Sequence, residues 1–287
     1  MGRHDVLLLG GGGFIGTALG RRLTRDGIRV HVLGRQDADK VEGLLRQCAT
    51  VVHLASTTTP GSSAGLPGME IENLALTTRL LELVRIRPQT HLIFFSSGGT
   101  VYGNPGRLPV NEDFRIAPRS NYGAGKAAQE GFLEIFRTQG HAVTVVRPSN
   151  AYGPGQGMKN GFGLVRTMLE HALLGTPVEI WGDGENVRDF IYIDDIVEAC
   201  SRLIKLPQDA DTYNLGSGRG YSVNETRAMV ERVTGIALTA IHHAPKLTDV
   251  RAIVLDTARA EAKLLWKPQT SLEGGIKQTW KWLQETT

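Results

Sequence analysis

Short runs dominated by apolar residues alternate, through the first half of the chain, with longer stretches in which apolar positions recur at helical spacing. The short runs predict parallel strands at residues 5–9, 29–33, 50–53, 91–96 and 142–147. The longer stretches predict helices at residues 15–26, 69–86 and 121–139. Strands and helices that alternate in this way predict an α/β fold built on a doubly wound parallel sheet.

The pattern changes after Pro148, where glycine and proline become frequent and the elements become shorter. A helix is still predicted at residues 222–234, because Ser222 and Glu225 form a capping-box pattern at its start. We expect residues 1–153 to form the sheet domain, rejoined by residues 188–206. Residues 154–187 and 207–287 are expected to form a smaller C-terminal lobe that binds the substrate.

Composition excludes several classes of protein. The chain has 287 residues, 41% of them hydrophobic, and a net charge of only +3. No long basic run is present, which argues against nucleic acid as a partner. Because no apolar run is long enough for a bilayer and no cleavable signal is visible, we expect no membrane association and a cytoplasmic location. Cys48 and Cys200 predict free thiols, and the histidine spacing predicts no metal site.

A glycine-rich turn follows the first predicted strand and opens the first predicted helix. Gly10, Gly13 and Gly16 lie at this junction. Without β-carbons the turn lets a diphosphate approach the backbone, and the helix start offers free N–H groups. A glycine spacing alone is weak evidence, but the strand before it and the helix after it are the context that a dinucleotide site needs.

A second chemical signal is the pair Tyr122 and Lys126, four residues apart on a predicted helix. At this spacing both side chains point to one face and enter one site. A phenol is a poor base at neutral pH, and a nearby ammonium favours its deprotonated form. The pair therefore predicts an acid–base group beside the dinucleotide.

Ordered motifs extend this pattern along nearly the whole chain: GGGGFIG at 10–16, SSGGTVYG at 96–103, YGAGK at 122–126, RPSNAYGP at 147–154 and GDGENVRDFIYIDD at 182–195. In these motifs the chain resembles the extended short-chain dehydrogenase/reductase family, in its nucleotide-sugar epimerase/dehydratase group. The resemblance implies a Rossmann domain, an NADP or NAD cofactor and a nucleotide-diphosphate sugar as substrate. It also implies a homodimer in which the helices at 69–86 and 121–139 pair.

The resemblance also assigns roles to individual residues. Tyr122 would be the acid/base, and Lys126 would bind the nicotinamide ribose and lower the pKa of Tyr122. The cofactor-binding residues would be Gly10, Gly13, Phe14, Ile15, Gly16, Gly34, Arg35, Leu54, Ala55, Ser96, Tyr122 and Lys126. The residues that contact the substrate would be Asn150, Arg188, Lys246 and Arg251.

One departure from the family concerns the catalytic hydroxyl. The family usually carries Ser or Thr at the place of Gly98, which has no side chain. In an extended strand Thr100 faces the same side as Gly98 and Ser97 faces the other, so we expect Thr100 to matter more. Ser97, or an ordered water at Gly98, are the alternatives.

A second departure concerns the cofactor ribose. NAD-selective members usually place Asp where this chain has Gly34, and Arg35 follows. Loss of the carboxylate and gain of a cation predict a preference for NADP, unless Arg35 stacks on adenine or faces water. Only residues 36–49 separate the second predicted strand from the next, so the usual edge strand is predicted to be missing.

The sequence therefore predicts an NAD(P)-dependent epimerase, resembling 4-epimerases, that uses hydride transfer and a Tyr/Lys pair. The first alternative is an NADPH-dependent reductase of nucleotide keto-sugars. A catalytically weak, cofactor-binding regulatory protein is the second alternative, favoured only by the missing hydroxyl at Gly98.

Overall fold

The structure, a computed structural model, describes residues 5–34, 37, 40–158, 162–206 and 209–286. The strands are β1 (Asp5–Leu9), β2 (Val30–Leu33), β3 (Cys48–His53), β4 (His91–Phe95), β5 (Val143–Pro148), β6 (Asn150–Tyr152), β7 (Val178–Trp181), β8 (Val187–Tyr192), β9 (Thr212–Leu215), β10 (Gly220–Ser222) and β11 (Ala240–His243). The helices are α1 (Phe14–Arg25), α2 (Val41–Leu45), α3 (Met69–Arg85), α4 (Gly98–Val101), α5 (Asn121–Thr138), α6 (Leu164–Leu174), α7 (Ile193–Lys205), α8 (Val223–Thr234), α9 (Ala258–Leu264) and α10 (Leu272–Thr286).

Within the described residues, the central sheet has six parallel strands in the order β2-β1-β3-β4-β5-β9. Alternate residues of β1 face opposite sides of it, as the pleat requires. Leu7 and Leu9 join a core cluster with residues of α3 and α5, whereas Val6 and Leu8 join one with residues of α1 and α7. The predicted doubly wound Rossmann sheet is confirmed.

The strand β2 forms an edge of this sheet, since β1 is its one partner among the described residues. Among the described residues between β2 and β3, the chain forms the short helix α2. The described part of the connection thus contains no further edge strand, in agreement with the short spacing seen in the sequence.

The smaller lobe is built around two further sheets within the described residues, β10-β8-β6 and β11-β7. Helices α6, α8 and α10 pack against one another beside them. Three expected boundaries need correction. Residues 150–152 and 188–192 were expected in the sheet domain, but β6 and β8 form a separate sheet with β10. Residues 212–215 were expected in the substrate lobe, but β9 pairs with β5 as a strand of the central sheet. The helix α7 lies against α1 on the first domain.

The carboxyl ends of β1, β3 and β4 are followed by Gly10, Leu54 and Ser96, in that order. Parallel strands present their carboxyl ends at one edge of the sheet, and ligands of this class of fold bind there. The fold therefore brings the glycine turn and the SSGGTVYG segment to the same side of the molecule.

Candidate active site

The glycine turn after β1 has the geometry that a diphosphate needs. Gly10 has a φ of +85°, and a β-carbon there would lie 2.5 Å from the backbone N of Ala55. A β-carbon at Gly16 would lie 2.5 Å from the Cα of Gly11. Gly13 caps α1 without a side-chain hydrogen bond, and no acidic residue lies in the first turn. The N–H groups of Phe14 and Ile15 thus remain at a positive helix end, where they fit the diphosphate of a dinucleotide.

A carboxylate is present at the end of β2, although not at the position that the family usually uses. Asp37 accepts a hydrogen bond from the backbone N–H of Gly34 at 3.1 Å and pairs with Lys40 at 2.7 Å. Lys40 and then the Gly34 N–H lower the pKa of Asp37. Arg35, the basis for the predicted NADP preference, lies outside the described residues. Asp37 thus places negative charge beside the backbone of Gly34, although position 34 itself carries no carboxylate.

Tyr122 and Lys126 lie one turn apart on α5, as their spacing predicts. Ser120 caps the helix by accepting from the N–H of Gly123 at 3.1 Å. The buried Nζ of Lys126 donates to the carbonyl of Phe95 at 2.8 Å. The same Nζ lies 5.9 Å from the centre of the Tyr122 ring. The pair thus stands directly beside the end of β4, next to the cofactor edge of the sheet.

The electrostatics of this pair differ from the sequence-based expectation. Burial lowers the pKa of Lys126 to about 8, and the charges of Glu70 and Glu130 oppose that decrease. The pKa of Tyr122 was expected to fall beside Lys126, but burial and then the charge of Glu70 raise it. The physical reason is that the partly buried phenol loses hydration and lies in the field of the Glu70 carboxylate, while the ammonium donates to the Phe95 carbonyl.

The backbone at Gly98 is helical and not extended, so the argument from strand alternation is wrong. Ser97 is the N-cap of α4, and its side chain makes no capping hydrogen bond. The hydroxyl of Thr100 donates weakly to the carbonyl of Ser97 at 3.4 Å. The Thr100 hydroxyl is thus partly engaged within its own helix, whereas the Ser97 hydroxyl is not used for capping.

The space beside Gly98 is filled. A β-carbon at this residue would lie 2.6 Å from Cδ1 of Leu255 and 2.9 Å from the carbonyl O of Arg147. The position that the Cβ of a Ser or Thr side chain would take at this residue is thus already occupied. Gly98 is therefore a packing requirement of this chain.

A buried polar network lies below the site and was missed by sequence reasoning. Ser96, expected at the cofactor, donates its hydroxyl to Glu130 instead. Arg147 pairs with Glu130 at 2.6 Å and donates to the hydroxyl of Tyr102 at 2.7 Å. The motifs that carry these residues were visible, but only the fold shows that α4, α5, β4 and β5 bring them together.

Asn150 and Arg188 lie on the neighbouring strands β6 and β8. The amide of Asn150 donates to the carbonyl of Asp189 at 2.9 Å and lies near Gly99. Burial lowers the pKa of Arg188, and the charge of Asp249 opposes that decrease. Arg188 forms no salt bridge with another described residue, so this half-buried cation is available for an anion.

Lys246 and Arg251 lie on the segment that runs beside β7 and β8, and both are exposed. The Nζ of Lys246 lies 3.6 Å from the centre of the Trp181 ring. Arg251 pairs with Asp183 at 3.1 Å. Sequence reasoning missed the roles of Trp181, the last residue of β7, and of Asp183, which lies two residues further on. The four predicted substrate residues thus come from three neighbouring parts of the smaller lobe.

Comparison with known proteins defines the class to which this site belongs. The sequence model of the NAD dependent epimerase/dehydratase family matches residues 6–216 of this chain. The chain therefore belongs to the NAD-dependent epimerase/dehydratase family. This membership confirms the expectation of an NAD(P)-dependent enzyme of that group.

Individual relatives extend over almost the whole chain. A UDP-glucose 4-epimerase of Mycolicibacterium smegmatis is 33% identical, covering 96% of this chain and 96% of its own. The crystal structure of a UDP-glucose 4-epimerase from Thermotoga maritima with UDP-glucose is 32% identical, with a TM-score of 0.92 over 98% of this chain and 99% of its own. The Thermus thermophilus UDP-glucose 4-epimerase in complex with NAD is 28% identical, with a TM-score of 0.91 over 99% of this chain and 100% of its own.

Two further classes of site were sought in the described residues. None of the described helices combines the length and apolar character that a bilayer span requires. No three or more His, Cys, Asp or Glu residues are grouped there as metal ligands. Cys48 and Cys200 are both buried as free thiols.

Proposed function

We propose that this protein is an NAD-dependent epimerase that inverts a hydroxyl-bearing carbon of a nucleotide-diphosphate sugar, as 4-epimerases do. The observation that carries the proposal is the pair Tyr122 and Lys126, one turn apart on α5 and beside the end of β4. The names of the relatives support the substrate class, because both solved structures reported above are UDP-glucose 4-epimerases.

NAD, when bound, supplies a reversible hydride acceptor for the sugar carbon. The N–H groups at the start of α1 would hold its diphosphate, and Gly10 and Gly16 allow the close approach. Lys126 would hold the nicotinamide ribose. Tyr122 removes the proton of the sugar hydroxyl and returns it to the same oxygen after the sugar has presented its other face.

The raised pKa of Tyr122 gives this step a requirement. An ordinary phenol is already protonated at neutral pH, and in the free protein burial and Glu70 raise the pKa of Tyr122 further. Tyr122 therefore becomes a base only when positive charge in the occupied site offsets both effects. Lys126 has a pKa of about 8, so its ammonium is charged at neutral pH and supplies one such charge.

Among the substrate residues, Arg188 is the first choice for the sugar's diphosphate. It is half-buried and forms no ion pair within the described part of the chain. One of its N–H groups donates to the carbonyl of Val187 at 2.9 Å, and the others can bind a phosphate. Arg251 would first have to release Asp183, and Lys246 would have to leave the ring of Trp181. Asn150 lies close by, where it contacts the sugar or the diphosphate.

The test is turnover of UDP-glucose, followed by chromatography of its 4-epimer, in wild type and Tyr122→Phe. We expect the variant to lose roughly two to four orders of magnitude in kcat, the usual scale for an acid–base group. Near-normal turnover in a folded Tyr122→Phe protein would contradict the assigned role.

The same assay separates the alternatives. An epimerase returns its hydride and consumes no cofactor, whereas a keto-sugar reductase oxidises one NADPH for each product molecule. A wild-type protein that binds NAD and turns over neither a nucleotide sugar nor a keto-sugar would identify a regulatory protein instead.

A further inference from the structure

Glu70 is a buried carboxylate in the first turn of α3 that the proposed mechanism does not use. Its side chain is 8% exposed. The Oε2 atom accepts hydrogen bonds from Thr58 Oγ1 at 3.1 Å and from Asn73 Nδ2 at 3.0 Å. The Oε1 atom is buried and has no hydrogen-bond partner among the described residues. A buried carboxylate oxygen without a partner is costly, so this charge requires an explanation.

The helix that carries the catalytic pair is shaped to receive this carboxylate. A β-carbon at Gly125 would lie 2.5 Å from Oε2 of Glu70 and 2.9 Å from its Cβ. Gly125 occupies the turn of α5 between Tyr122 and Lys126. Glycine at this place therefore lets Glu70 pack directly against the catalytic turn, where any larger residue would push it away.

The surrounding charges make Lys126 the group on which Glu70 acts favourably. On α5, Glu130 is the other carboxylate whose charge acts on Lys126, and it is already paired with Arg147. On β3, burial and then the charge of Lys126 lower the pKa of His53 to about 3, so that ring is neutral. Glu70 therefore opposes the loss of the Lys126 proton and disfavours the phenolate of Tyr122.

We propose that Glu70 is a positioning residue of the active site, whose buried carboxylate, packed against Gly125, stabilises the buried ammonium of Lys126 and disfavours the phenolate of Tyr122 until the site is occupied. This inference rests on the proposed function only for its catalytic consequence. The electrostatic link between Glu70 and Lys126 exists in the free protein and can be tested without any turnover.

The test compares Glu70→Gln with Glu72→Gln. Both variants remove one negative charge from the start of α3, but Glu72 is exposed. Gln keeps the shape and an acceptor oxygen, so we expect Glu70→Gln to fold. Glu70→Met, neutral and of similar length, is the second variant. Lysines labelled with 13C at Cε are titrated by NMR, and Lys126→Arg identifies the Lys126 signal.

In wild type we expect Lys126 to titrate near a pKa of about 8. Both neutral variants at position 70 should move this midpoint down by roughly one pH unit, the scale of one nearby buried charge. Glu72→Gln should leave it unchanged. An unmoved midpoint in folded Glu70→Gln, or an equal shift in Glu72→Gln, would overturn the inference.

Activity then supplies an independent check. If the protein is an epimerase, the pH profile of kcat should move towards lower pH in Glu70→Gln, because Lys126 and Tyr122 both lose their protons more easily. A profile that keeps its midpoints and only loses height would mean that Glu70 has a structural role alone. Wild type without turnover would refute the proposed function, while the NMR titration would still decide the role of Glu70.

Discussion

Gly98→Ala tests whether the absent hydroxyl of this chain is a packing requirement. The new β-carbon would lie 2.6 Å from Cδ1 of Leu255, which is fully buried, and 2.9 Å from the carbonyl O of Arg147. The backbone oxygen belongs to β5 in the central sheet and moves little. Overpacking of this kind reduces the free energy of unfolding by about 1–3 kcal/mol. We expect a fall of roughly 2–4 °C in Tm for each kcal/mol.

Gly99→Ala is the matched control, since it adds the same methyl group one residue further along α4. Its β-carbon would find the Asn150 side chain at 3.6 Å, which is ordinary van der Waals contact. Urea unfolding followed by circular dichroism should therefore show loss of stability for Gly98→Ala and none for Gly99→Ala. Equal stability of Gly98→Ala and wild type would refute the reasoning. Gly98→Ser should likewise lose stability and gain no activity, although it restores the family's hydroxyl.

Three other predictions concern the substrate donor, the cofactor and the oligomer. Ser97→Ala should lower kcat more than Thr100→Val, because the Thr100 hydroxyl already donates to a carbonyl, and the opposite order in steady-state kinetics would return the role to Thr100. Calorimetric titration should show tighter binding of NAD than of NADP, and Asp37→Ala should reduce that preference about ten-fold, since a carboxylate repels a 2′-phosphate. Tighter binding of NADP by wild type would restore the sequence-based prediction. Light scattering should give a homodimer for wild type and a monomer for Phe132→Asp. Phe132 and Ile135 are exposed on α5, whereas most apolar residues of α3 and α5 face their own sheet. A wild-type monomer mass at every concentration would reject the dimer.

The sequence by itself determined the features that depend on neighbouring residues. The alternation of strands and helices follows from apolar spacing over short windows, and five strands of the central sheet were found nearly to their ends. The sixth described strand, β9, was not predicted. The glycine turn could be identified because a strand before it and a helix after it are local. Tyr122 and Lys126 were placed together because four residues make about one turn of any helix.

Only the tertiary structure decided what surrounds those groups. Leu255 fills the space at Gly98, and Glu70 packs against Gly125 from another helix, so that its charge acts on Lys126. Both pairs of contacting residues lie far apart in the chain. The sequence correctly placed an ammonium near Tyr122, yet the direction of the Tyr122 pKa was wrong. A pKa depends on how much water the fold removes and which charges it brings near, and neither quantity is encoded in the spacing of two residues.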